Sequence, residues 1–92
     1  MTEKPHFRRV VLSGEYDLLR RDELREIFAS LGDEPEITLD LGGVTYVDSS
    51  FLDELGKLRL RLPDHSITLV GADATVRRLL EITSMHKIFT VQ

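Results

Sequence analysis

The chain has 92 residues and a formal net charge of −4, with 41% hydrophobic and 30% charged residues, the balance of one soluble globular domain spanning residues 1–92. It contains no cysteine, which excludes a disulfide framework and a thiolate metal site. The acidic balance and the scattered pairs Arg8-Arg9, Arg20-Arg21 and Arg77-Arg78 lack the basic footprint of a nucleic-acid binder. No apolar run approaches bilayer length, and the opening MTEKPHFRR has no apolar signal core. The expectation is a cytoplasmic protein without nucleic acid as a partner and without direct membrane insertion.

In chain order, residues 2–6 are a candidate short leading strand, weakened by Pro5. FRRVVLSG reads as a strand ended by Gly14. DLLRRDELREIFASLG reads as a helix, because Leu24, Ile27, Phe28 and Leu31 repeat at i, i+3, i+4, i+7. Asp17 is a candidate cap for its start and Gly32 for its end. EITLDL alternates with period two, Gly42-Gly43 marks a bend or bulge, and VTYV continues the extended run to Asp48.

A second helix is expected from about Ser50 to Leu62, stopped by Pro63. At 100° per residue Phe51, Leu52, Leu55, Leu58 and Leu62 share one broad face, while Asp53, Glu54, Lys57 and Arg61 project away. Leu60 falls outside the apolar arc. HSITLVG is a strand, ADATVRRLLEITS a helix with Asp73 as N-cap, and KIFTV a final strand. Strands alternating with helices of this length imply crossover units and a largely parallel sheet. In such sheets functional sites lie beyond the carboxyl ends of the strands, which is where VTYV runs into Asp48-Ser49-Ser50.

Enzyme signatures are missing. There is no G-x-S-x-G elbow and no P-loop. His6, His65 and His86 lack short metal-ligand spacing. No catalytic residue, cofactor or metal is expected. The triplet itself has two readings. Ser and Asp are preferred N-caps, and Ser50-Phe51-Leu52-Asp53 resembles a capping box with Asp in place of the usual Glu. A helix start also tolerates an anion, so a phosphate on Ser49 would add nearly two negative charges at a surface where a partner could dock. From the residues alone, cap and switch both stand.

LSGEYD, then LDLGGVTYVDSSFLDELGKL, then ITLVGADATVRRLLEITSMHKIF together resemble a STAS domain, in particular that of the bacterial anti-sigma factor antagonists. The likeness runs from about Val10 to Val91. It implies an α/β fold with a mixed four- to five-stranded sheet, about three helices packed mainly on one face, and here a missing or very short C-terminal helix. It also implies a partner: an anti-sigma factor that is a serine kinase, with ATP bound by that partner. The kinase phosphorylates the serine after the motif aspartate, and a serine phosphatase reverses this. By position the acceptor is Ser49, with the neighbouring Ser50 second. Asp17 matches a family aspartate at the same edge, and Asp17 and Asp48 are expected to shape the kinase-facing surface. Ser50, Phe51, Asp53 and Glu54 complete the expected partner-binding set. Phe51 stands where antagonists commonly have glycine, and either turns inward to staple the helix or alters the docking surface. STAS domains also serve as subunits gripping the ATPase of lipid ABC transport systems, an alternative without phosphorylation.

Overall fold

A computed structural model describes residues 6–92. Strand β1 spans Phe7–Tyr16, and a single 3-10 turn over Leu18–Arg20 leads into helix α1, Arg21–Ala29. Strand β2 is Glu36–Val47, helix α2 Ser49–Arg61, strand β3 Ser66–Val70, helix α3 Ala74–Ile82 and strand β4 Thr90–Val91. The strands lie in the order β1-β2-β3-β4. All three pairings among the described residues are parallel, so this sheet is parallel where a mixed one was expected. The candidate leading strand falls outside the described residues except for His6, a bend whose carbonyl accepts from Glu36 N–H at 3.2 Å.

Neighbouring parallel strands joined by right-handed crossovers put every connecting helix on the same side of the sheet. Burial follows. Ile37, Leu39 and Leu41 on β2, Ile67 and Leu69 on β3, and Leu12 and Tyr16 on β1 are buried. They meet Leu24 and Phe28 of α1, Phe51, Leu55 and Leu58 of α2, and Val76 and Leu80 of α3. The alternate residues Thr38, Asp40, Thr68 and Val70 are only partly buried, and an Arg9–Asp40 ion pair at 2.5 Å crosses that open face.

β1 does not stop at Gly14. The register slips twice against β2, between Val11 and Ser13 and between Gly14 and Glu15. These are bulges that let the strand twist on to Tyr16. Gly14 takes φ +85, a conformation that costs a residue with a Cβ. Gly43 on β2 pairs with Ser13, and a Cβ there would come within 3.1 Å of Ser13 Cβ. The glycine pair thus marks a bulge within one 12-residue strand. α1 is shorter than its sequence pattern: it ends at Ala29, with Ser30 as C-cap. The final strand is shorter still, because Met85–Lys87 forms a 3-10 turn.

Candidate functional site

The extension of β1 and β2 past their bulges carries Tyr16 and Val47 side by side to the carboxyl edge of the sheet. Asp48 is still extended, with φ −122 and ψ −170, and its N–H donates to Tyr16 O at 3.2 Å. The helix begins one residue later. Asp48 is the N-cap: its carboxylate accepts from Ser50 N–H at 2.9 Å and from Phe51 N–H at 3.4 Å. The expected start near Ser50 and capping box from Ser50 are therefore corrected. Three cap-competent residues stand in a row, and the strand pairing of Asp48 decides which one turns the chain.

Ser49 is then the first residue of α2 and exposed; Ser50 is half-buried. Two donors that commonly hold an anion at a helix start are already taken by Asp48. Asp17 lies on the adjacent connection, immediately after Tyr16, and caps the 3-10 turn by accepting from Leu19 N–H at 2.9 Å. The expected cap on α1 is thus a cap on the short turn before it. Asp17, Asp48 and Ser49 come together at one edge, as the strand pairing dictates.

Two expected contact residues face the other way. Phe51 is buried, its ring centroid 5.5 Å from that of Tyr16 at an interplanar angle of 44°. It packs under the first turn of α2 and presents no surface to a partner. Glu54 is 4% exposed. Its carboxylate takes a bidentate pair from Arg25 of α1, at 3.0 and 3.1 Å, and a contact from Lys57 at 3.3 Å. Arg25 first, and Lys57 after it, hold the Glu54 carboxyl below the usual carboxylate range against the opposing effect of burial. Glu54 is thus a strut between helices. Asp53 does face solvent and pairs with Lys57 at 3.1 Å.

The expected set omitted Leu18 and Leu19, which are 58% and 92% exposed beside Asp17. A signal was present: neither leucine falls on the Leu24–Ile27–Phe28–Leu31 repeat. Among the described residues no group of three or more His, Asp or Glu side chains is placed to hold a metal. A cleft of about 380 Å³ lies elsewhere, between α3 and β4, lined by Arg77, Leu80, Glu81, His86 and Val91.

The architecture is that of a small α/β domain: a parallel sheet with helices on one side, and an exposed hydroxyl on an aspartate-capped helix start at its carboxyl edge. The chain belongs to the STAS domain family: the family model described as "Mlab, STAS domain" matches residues 2–91. No curated protein matches the chain. Among solved structures it is similar to an anti-sigma factor antagonist from Mycobacterium paratuberculosis, with a TM-score of 0.86 and 22% identity over 98% of this chain and 80% of that one. It is also similar to the anti-sigma factor antagonist SpoIIAA in its unphosphorylated form, at TM-score 0.64 and 18% identity, covering 96% and 93%. A third is the SulP transporter STAS domain from Vibrio cholerae, at TM-score 0.73 and 16% identity, covering 98% and 75%.

Proposed function

We propose that this chain is a cytoplasmic anti-sigma factor antagonist: a binding module, not an enzyme, that docks on an anti-sigma factor serine kinase and is switched off by phosphorylation of Ser49. The observation that carries this is the exposed Ser49 at the first position of α2, directly after the Asp48 cap. The kinase supplies ATP. Ser49 Oγ attacks the γ-phosphorus and gives up its proton, the bond to the β-phosphate oxygen breaks, and ADP leaves. A serine phosphatase restores the hydroxyl by hydrolysing the ester. Free antagonist holds the anti-sigma factor and so releases the sigma factor for transcription.

Electrostatics make the phosphate a switch. It adds about −1.5 to −2 charges at pH 7. Asp48 already occupies the Ser50 and Phe51 N–H groups, so the helix start offers the phosphate little neutralisation. Asp48 and Asp17 repel it from either side. The fold has no need to move; the docking surface becomes costly to desolvate. Antagonists among the structural relatives support the reading.

The test is intact-mass spectrometry of the native protein with fragmentation across residues 47–55, paired with binding assays. One phosphate on Ser49 is expected, with binding retained in Ser49→Ala and weakened in Ser49→Asp. Full binding by Ser49→Asp would sink the switch. A second reading is a subunit docking on a transport ATPase without phosphorylation. It is favoured by a family description that names Mlab rather than an antagonist, and by the likeness to a transporter STAS domain. Copurification of an ATPase, with no phosphate on Ser49, would select it.

A further inference from the structure

Single exposed leucines are ordinary. Leu18 and Leu19 differ, because the turn that displays them is tied down from several sides. Leu19 N–H donates to the Asp17 carboxylate at 2.9 Å, and Arg20 N–H donates to Asp17 O at 3.1 Å. The Arg20 guanidinium donates to the carbonyls of Ser13 and Glu15 at 2.8 and 3.1 Å, pairs with Glu23, and lies 4.1 Å over the Tyr16 ring centroid. Tyr16 in turn packs on Phe51, inside the first turn of α2. One buried ring therefore supports both the leucine turn and the helix start that carries Ser49.

We infer that Leu18-Leu19 is a preformed apolar anchor that enters an apolar pocket on the anti-sigma factor kinase; this rests on the function proposed above. The charges around the anchor define the rim of that pocket. Glu15 is exposed and Asp17 half-buried, and Asp22 is exposed with Arg25 at 4.0 Å; of the two adjoining cations Arg20 is spent on Glu23 and on backbone carbonyls, and Arg21 is half-buried. The complementary pocket is lined with apolar side chains and rimmed with Lys or Arg. At Ser49 the same partner must present the triphosphate of its nucleotide. A phosphoserine there meets like charge, while the anchor and its carboxylates meet the cationic rim. Because the turn is rigid, seating it costs little ordering entropy. A desolvated apolar knob at the centre of an interface is where binding energy concentrates.

The test uses the full chain and the host's serine-kinase anti-sigma factors, each purified and loaded with a non-hydrolysable ATP analogue, with Kd read by biolayer interferometry. Leu19→Ser should raise Kd about thirty-fold or more with an unchanged Tm, since Leu19 has almost no folded contacts to lose. Arg20→Gln, which frees the turn, should raise it less. Leu60→Ser is the control for general stickiness: Leu60 is 82% exposed on α2 and should leave Kd unchanged. An unchanged Kd for Leu19→Ser overturns the anchor and leaves the kinase reading in place. Failure of the wild-type chain to bind any of these kinases overturns both.

Discussion

At the scale of single residues, Asp48 has two roles to separate: its carboxylate starts α2, and under the proposed function its charge also guards Ser49. The first can be isolated by stability. Asp48→Ala should lower the unfolding free energy by about 1 kcal/mol, and Ser50→Ala should change it by only a few tenths. Urea titrations of both variants check this; the reverse ranking would put the cap at Ser50. Sequence pattern alone favoured Ser50, because a capping box is a local signal and the Asp48 hydrogen bond to Tyr16 O is not. Phe51 carries a sharper test. It fills core beneath the helix start, so Phe51→Gly, which restores the glycine common in antagonists, should cost about 3–5 kcal/mol by cavity formation. Guanidinium midpoints measure it. A cost under about 1 kcal/mol would mean that the ring is not the prop described here.

At the scale of elements, the apolar periods of α1 and α2 were legible, and Leu24 and Phe28 of α1 and Phe51, Leu55 and Leu58 of α2 are buried as those periods imply. Glu54 was not. At 100° per residue it sits on the shoulder of the apolar arc, and only the neighbouring helix reveals that Arg25 waits there. The folded state lowers the Glu54 pKa, so the unfolded chain binds a proton more readily. The pair's stabilisation is therefore complete above the usual carboxylate range and is lost as pH falls through the depressed folded value. Asp40 behaves alike, held down first by Gly42 N–H and then by Arg9. Arg25→Ala should destabilise the fold at neutral pH and flatten the acid limb of the stability curve. Urea midpoints between about pH 3 and 7 decide it: an acid limb as steep as that of the wild type would remove Arg25 as the cause of the Glu54 shift.

At the scale of the whole molecule, the strand–helix alternation announced a crossover sheet, but the strand order and the brevity of β4 depended on long-range packing. β4 is an edge of two residues, and what fastens it is not the ladder alone. Arg59, near the end of α2, donates to the carbonyls of Leu62, His65 (2.7 Å) and Ile88 (3.4 Å) and lies 5.9 Å from the Phe89 ring centroid. It ties the second helix, the approach to β3 and the approach to β4 at one point. Central β2 has no such dependence, being paired on both sides. Removing the tie in Arg59→Ala should let the chain from about residue 83 onward open as a unit without global unfolding. Amide exchange would show it. Gln92 N–H, which donates to Leu69 O at 2.8 Å, and Gly71 N–H, which donates to Gln92 O at 3.3 Å, should lose protection by about tenfold or more, while the amides of Leu39 and Leu41 stay nearly as slow as in the wild type. Equal loss at all these sites would mean that the molecule opens only as one body. The same variant leaves Asp17, Asp48 and Ser49 on their own supports, Tyr16 and Phe51, so the phosphorylation of Ser49 proposed above should, if the kinase reading holds, proceed as fast in the variant as in the unaltered chain even as the β4 edge loosens.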